Sequence, residues 1–512
     1  MPRSKELDPL LPQNESSPEI SSYGSRPGTV NAQVNYKEPP PSYQSNQETE
    51  TPLHQDDGDN DSPPTSAGFT FQTLVSIFTA VVFFAFVSIL LSPEGDGSVL
   101  PLPSPKPRPS KTLEQRVNSI LRGTPLIDGH NDLAIFIRAA YKNKIHTEEF
   151  RSKFEDGGML LNVDLPRLDS GLVGGAFWSA FVGCPQNAST DFSDEQYASA
   201  VAQTLSQIDL IRRLQAQYPS TFTPATSPLS VALGRFHASK SLISPISIEG
   251  LHQLPQSAPL STLRLYHSLG VRAATLTWNC HNQFADAALI TSGGETVVAP
   301  YHRGGLTSAG RQVIHEMNRL GILIDLSHTS YWTQQAVLSN TSSLAPVIYS
   351  HSSAFSLCPH PRNVHDDILE LVKATKSLVM VNFSPAFISC LPPPNALTLP
   401  EFYEPNNTLH QVARHIVYIG EKIGYDYVGL GSDFDGMGFL TPRGLEGVDK
   451  FPDLVKELLK LGVKDSDASK VVGGNLLRVW REAEAVAKRL QKEEEEGEDD
   501  VEDPFSPLAG SH

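Results

Sequence analysis

Six side chains able to bind a cation or move a proton recur in this sequence at the end of short apolar runs. His130 and Asp132 close Pro-Leu-Ile-Asp-Gly-His-Asn-Asp (Pro125–Asp132), Glu249 closes Ile243–Glu249, His328 closes Gly321–His328, His351 closes Pro346–His351, and Asp433 closes Tyr427–Asp433. In an extended strand residues two apart point the same way, so His130 and Asp132 can offer one nitrogen and one oxygen to a single cation. His328 and His351 are spaced as one strand–helix repeat, which sets two imidazoles side by side on adjacent strands. Glu249 ends an apolar strand, where a carboxylate without a partner is costly to bury, and bridging two divalent ions removes that cost. Alone, a His-x-Asp triplet is commonly a surface turn and a single histidine is commonly bonded to backbone. The set as a whole, nitrogen and carboxylate oxygen without thiolate, suits two zinc ions. A water shared by two such ions becomes a hydroxide near neutral pH, able to attack a carbonyl. Asp433, with Asp435 beside it on the same side and glycines around it, can accept the proton. The chemistry is hydrolysis of an amide or related acyl bond. No G-x-S-x-G elbow is present to support a serine hydrolase.

Positioning these groups requires a fold whose strand ends converge on one face. A (β/α)8 barrel of the TIM type does this. Between the strand-like runs lie segments of helical periodicity, among them Leu113–Leu121, Leu260–Leu269, Ala309–Leu320, Asp366–Ala374, His410–Ile423 and Ser466–Leu490. Strands alternating with helices argue for a parallel α/β sheet. Residues 111–490, roughly 380 in number, fit one such barrel with insertions.

The remaining chain is of another kind. Residues 1–68 are rich in Pro, Ser, Asn, Gln and acids, too poor in apolar surface to fold, and are expected to be a disordered cytosolic tail. Within it, Glu6-Leu7-Asp8-Pro9-Leu10-Leu11 resembles an acidic dileucine sorting signal and Pro40-Pro41-Ser42-Tyr43 a PPxY ligand of WW domains, so a sorting adaptor and a WW domain are the expected partners of the tail. Phe69–Leu91 carries no charge over 23 positions and reads as one transmembrane helix. Residues 92–110 form a proline-rich stalk, and 491–512 an acidic, solvated tail. The positive-inside rule, applied to Lys106, Arg108 and Lys111, would put the large domain in the cytosol. Against it stand the sorting patterns, the glycosylation sequons at Asn187, Asn340 and Asn406, and an even set of cysteines, Cys184, Cys280, Cys358 and Cys390, which suits two disulfides. The expectation is a domain outside the cytosol, at a cell surface or in a vacuole-like lumen. A net charge of −17 excludes nucleic acid as the natural partner.

Ile127-Asp-Gly-His-Asn-Asp132, Phe177-Trp-Ser-Ala180, Ile248-Glu-Gly250 with His252, Asp325-Leu-Ser-His328, Pro346-Val-Ile-Tyr-Ser-His-Ser-Ser-Ala354, Arg362-Asn363-Val364, Gly431-Ser-Asp-Phe-Asp-Gly436 and Asn475-Leu-Leu-Arg478 together resemble the membrane (renal) dipeptidase family, a binuclear zinc branch of the amidohydrolases. The resemblance implies that His130 and Asp132 hold one zinc, His328 and His351 the other, and Glu249 bridges them. It implies further that Arg362 grips the substrate carboxylate, with Asn363 beside it among the substrate contacts, and that Asp433 is the acid/base. Family disulfides would pair Cys184 with Cys280 and Cys358 with Cys390. Where well-known members carry a substrate-contacting histidine after Leu-Thr-Leu-Thr, this chain has Trp278, and His281 is the nearest imidazole to replace it. The expected substrates are dipeptides, with another small amide (a cysteinyl-glycine conjugate or a β-lactam) as the alternative. A non-catalytic receptor that keeps the barrel as scaffold is the second alternative, disfavoured by the complete ligand set. The family commonly forms homodimers, and the sequence leaves this open.

Overall fold

The computed structural model describes residues 111–500, apart from 293, 340 and 341. The tail, membrane helix and stalk expected over 1–110 lie outside these residues, as do 501–512. No helix among the described residues is long and apolar enough to cross a membrane.

Eight parallel strands form one sheet: β1 Leu126–Asn131, β2 Val173–Ser179, β3 Ile246–Glu249, β4 Val271–Thr275, β5 Leu323–Asp325, β6 Ile348–Tyr349, β7 Leu378–Val381 and β8 Val428–Leu430. Each pairs with the next in register-defined parallel ladders. The ring nearly closes between β8 and β1 just beyond the strand ends, where Asn131 bridges Phe434, the Asp132 N–H donates to the Phe434 carbonyl at 2.9 Å and the Asp433 N–H to the His130 carbonyl at 3.1 Å. This is the α/β barrel expected from the alternating pattern. The strands are shorter than their apolar runs suggest, β6 having two residues, because the loops beyond them leave the ladder to aim side chains at the mouth.

Helix α1 (Leu113–Gly123) opens with a Thr112/Gln115 capping box and buries Val117, Ile120 and Leu121. Helices Pro259–Leu269, Ser308–Leu320, Asp366–Ala374 and Leu409–Ile423 lie where 3.6-residue periodicity places them. The terminal segment departs from expectation. Instead of one helix over Ser466–Leu490 there is a short helix Asp465–Ser469, a wide turn Lys470–Gly474, and a long helix α2 (Asn475–Glu493). Close approach is the cause: a Cβ on Gly473 would collide with the Pro125 carbonyl at the entry to β1. After the break, Asn475 donates its amide to the Tyr425 and Val428 carbonyls at 2.7 and 2.9 Å, fixing the helix to β8. Along α2, Leu477 and Trp480 pack into an apolar cluster with Ile127, Phe177, Ile348 and Met380 of the strands.

The expected solvated tail from 491 also needs correction in its first part. The helix runs to Glu493, and the Asp499 carboxylate then accepts from the Leu260 and Ser261 N–H groups, both at 2.9 Å, at the start of helix Pro259–Leu269. A carboxylate on two otherwise orphan N–H donors at the positive end of a helix dipole is held there despite its acidic neighbours.

Candidate active site

The mouth at the carboxyl ends of the strands gathers all five expected metal ligands. His130 Nε2 lies 3.3 Å from Asp132 Oδ2 and 3.5 Å from Glu249 Oε2, while His328 Nε2 and His351 Nε2 lie 2.9 and 3.4 Å from Glu249 Oε1. One oxygen of Glu249 thus faces each pair. His328 Nε2 and His351 Nε2 are 3.0 Å apart. Ligands about 2.0–2.1 Å from a tetrahedral ion are separated by about 3.3 Å, so these spacings are those of a coordination shell's edges. Donor atoms of His130, Glu249 and His351 fall mutually within 4.8 Å, as do those of His130, Asp132 and Asp433. A third such group, Cys184, His252 and Cys280, is no metal site, since the two sulfurs are bonded to each other.

Neighbouring groups fix the imidazoles in the metal-binding tautomer. Asp325 accepts from Ser327 N–H at 2.9 Å, Ser350 N–H at 2.8 Å and the Thr275 hydroxyl at 2.7 Å, and from the Ser350 hydroxyl at 2.5 Å. With its proton given to Asp325, Ser350 Oγ can only accept at 2.7 Å from His351 Nδ1–H, which leaves the Nε2 lone pair facing the centre. His328 Nδ1 is 3.0 Å from Asn279 Oδ1, with the same consequence. Two lone pairs facing each other at 3.0 Å repel, and a cation between them removes the repulsion. His130 Nε2 and Asp132 Oδ1 are likewise buried without a hydrogen-bond partner. The residues present therefore fit a pair of cations. Ser350→Ala is expected to weaken divalent-metal binding about 10- to 100-fold by freeing the His351 ring. Chelator competition on the purified domain measures this, and unchanged affinity would remove Ser350 from that role.

Protonation follows the same logic. Burial, then the Arg362 charge, pulls the His328 pKa down to about 3; burial, then His130, holds His351 well below the ordinary imidazole range, so both are neutral. Burial also acts to lower His130, but Glu249 and Asp132 outweigh it and raise its pKa well above the ordinary value. Burial pushes Glu249 up, yet chiefly the charge on His130 holds it well below the carboxylate range. A proton on His130 between two carboxylates occupies a place that suits a cation. Asp433, half-buried, is pushed up to about 7, chiefly by loss of water and then, against the pull of His130, by Asp132 and Glu249.

Asp433 is steered by backbone strain and by two partners. Its φ is +65°, as is that of His328, and Asp435 has φ +66°, conformations that cost of order 1–3 kcal/mol each and persist only where surroundings impose them. The Asn382 amide donates to Asp433 Oδ2 at 3.2 Å. Buried Asp128 binds the preceding Ser432 through its N–H at 2.7 Å and hydroxyl at 2.5 Å, tying the β8 loop to β1. Gly431 passes so close to the Ser350 carbonyl that a Cβ would not fit. Asp435, expected on the same side as Asp433, accepts from the Asn162 N–H at 2.7 Å and donates its own N–H to the Asn162 side chain at 2.9 Å.

Arg362 is buried over the Phe387 ring, donates from Nη2 to the His351 carbonyl at 3.4 Å, and leaves Nε and Nη1 without partners. Burial lowers its pKa to about 10, opposed by Asp433 and Glu249, so the guanidinium stays charged at neutral pH. Asn363 is a correction. Its oxygen accepts from Ser353 N–H at 3.1 Å and its amide donates to the Cys358 and Phe387 carbonyls at 2.8 and 2.7 Å, which spends the group on holding the Arg362 loop rather than on substrate. Trp278 is half-buried with its ring 6.1 Å from that of His328. His281 turns elsewhere: Nδ1 accepts from Ala287 N–H at 3.1 Å and the ring stacks on His302. Among the described residues no hydrogen bond or ring contact joins it to the five ligands.

Both expected disulfides, Cys184–Cys280 and Cys358–Cys390, are present. The first pins the loop bearing Trp278 and Asn279, the second spans the loops flanking Arg362 and Asn382. Asn187 and Asn406 are exposed, and Asn340 lies outside the described residues. Residues that sequence reading left without a role are Asp128, Asn279, Asp325, Ser350 and Asn382. A signal existed for two of them, since an acid precedes a strand-end histidine by two residues at Asp128 and by three at Asp325.

Residues 114–494 match the family model described as membrane dipeptidase, peptidase family M19. Among characterised sequences, dipeptidase aclJ of Aspergillus oryzae is 43% identical over 416 residues, covering 81% of this chain and 89% of aclJ. Dipeptidase verJ of Clonostachys rogersoniana is 41% identical over 379 residues, covering 74% and 89%. Among solved structures, the probable dipeptidase PvdM of Pseudomonas aeruginosa superposes with a TM-score of 0.61 at 22% identity, covering 74% of this chain and 99% of PvdM. A metallopeptidase of Rhodobacter sphaeroides, liganded with a phosphinate mimic of L-Ala-D-Ala, superposes at 0.57 with 23% identity, covering 70% and 99%. At these identities the structural likeness speaks for the fold.

Proposed function

Since this chain belongs to the membrane dipeptidase family (peptidase family M19) and is a dipeptidase, we propose that it hydrolyses its substrates with two zinc ions, one held by His130 and Asp132, the other by His328 and His351, bridged by Glu249. When bound, the pair supplies an acidified water and polarises the scissile carbonyl. The chain's own residues do the rest. Arg362 receives the free carboxylate of the dipeptide on its two unpartnered donors, a charge-assisted contact made stronger by exclusion of water. That contact sets the register of the substrate and places its single peptide bond over Glu249. Asp433, turned inward by its backbone and held by Asn382, takes the proton of the attacking water on its carboxylate and delivers it to the nitrogen of the leaving amine. Water is consumed, the C–N bond breaks, and a free carboxylate and amine result.

The single observation that carries this reading is the division of Glu249, one oxygen toward each imidazole-bearing pair, next to a buried arginine with donors to spare. Purified domain assayed on L,L and L,D dipeptides is expected to lose all activity on dialysis against a chelator and to regain it on adding two equivalents of zinc. Full activity with one equivalent, or activity untouched by chelation, would overturn the two-ion reading.

Both disulfides favour an oxidising compartment. The proposal is therefore a catalytic domain outside the cytosol, glycosylated at exposed Asn187 and Asn406. An endoglycosidase shift of the full chain, reduced in the Asn187→Gln/Asn406→Gln double variant, is the expected outcome.

A further inference from the structure

Resting on the dipeptidase reading, we propose that Trp278 and Phe181 form an apolar subsite for the side chain of the substrate's amino-terminal residue, so that the enzyme favours dipeptides beginning with a large apolar or aromatic residue. The strand order supplies the argument. In the nearly closed ring, Arg362 follows β6, Phe181 follows β2 and Trp278 follows β4. β2 and β6 are four strands apart in a ring of eight, so Phe181 and Arg362 stand on opposite sides of the mouth. Phe181 and Trp278 meet edge to face with centroids 4.8 Å apart, spanning the width of β3, the strand that ends on Glu249. At its other edge the Trp278 ring approaches that of His328 at 6.1 Å.

A dipeptide is too short to choose its direction freely. Once its carboxylate is on Arg362 and its peptide bond over Glu249, the amino-terminal residue points away from β6, toward this aromatic pair. Both rings are half-buried, so each keeps apolar surface that a substrate side chain can cover. Phe181 has no polar atom and Trp278 one donor, so the pair offers little to a charged or hydroxylated side chain.

The discriminating measurement uses phosphinate analogues of Phe-Ala and Gly-Ala alongside the dipeptides themselves, all with the zinc-loaded protein. Wild type is expected to bind the Phe-Ala analogue, and to turn over Phe-Ala by kcat/KM, about 10- to 100-fold better than the Gly-Ala counterpart, with the difference in KM. Trp278→Ala and Phe181→Ala should each bring that ratio near one, while Trp278→Phe keeps most of it and all three variants retain bound zinc. A ratio unchanged in both alanine variants, or no preference in wild type, overturns the subsite. Absence of turnover for every dipeptide by zinc-loaded wild type instead overturns the dipeptidase mechanism, and the analogue-binding ratio still decides the subsite.

Discussion

Glu249→Ala is expected to abolish hydrolysis, lowering kcat/KM by at least about 10⁴-fold (about 5.5 kcal/mol), and to cut bound zinc from two per chain to one or none. Among the described residues, Glu249 alone faces both halves of the proposed ligand set: Oε1 faces His328 and His351, and Oε2 faces His130. Its loss separates the two pairs, each left with two protein ligands, fewer than the three or four that zinc sites ordinarily use. Glu249→Gln is the sharper variant, for it preserves shape and the neighbouring contacts but carries no charge and presents one oxygen instead of two. Metal analysis and steady-state kinetics on both variants, with circular dichroism to verify folding, check the expectation. Two zinc ions bound to folded Glu249→Gln with near wild-type kcat would eliminate Glu249 as the bridge.

A second large effect is expected at Arg362. Arg362→Met, similar in reach but uncharged, should raise KM and lower kcat/KM about 10²- to 10³-fold, some 3–4 kcal/mol, while zinc content stays at wild-type level. The cost has two parts, the lost charge-assisted bonds and a substrate carboxylate left without a partner in a dry site. Dipeptide amides separate them. Wild type should lose most of its activity when the dipeptide is amidated, whereas Arg362→Met, relieved of an unpaired carboxylate, should handle the amide at least as well as the free acid, the coupling a double-mutant cycle shows for groups that touch. Arg362→Lys keeps the charge without the planar fork and should recover only part of the loss. An equal response to amidation in wild type and Arg362→Met would dissociate Arg362 from the substrate carboxylate.

Several features of the chain can be read from local pattern because the physics that sets them is local. Apolar runs ending on His130, Glu249, His328, His351 and Asp433 announce strands and the groups at their tips, and helix periodicity over Asp366–Ala374 matches the observed bounds. The break at Gly473 was not legible, since its cause is the Pro125 carbonyl, nearly the whole barrel away in sequence. The same limit applies to Asn363 and His281. Each carries a side chain suited to a substrate, and only the groups packed around it, Ser353, Cys358 and Phe387 for the first, Ala287 and His302 for the second, determine what it touches.

By itself the amino-acid sequence determined the family and the barrel and pointed to the five side chains that meet at its mouth, since strand and helix periods and residue chemistry are properties of neighbours along the chain. Tertiary structure alone decided how those side chains are aimed. Asp325 with Ser350 orients His351, Asn279 orients His328, and Asp128 with Asn382 sets Asp433. Hydrogen-bond direction depends on partners brought together from distant strands, and no run of residues contains that information before the ring closes.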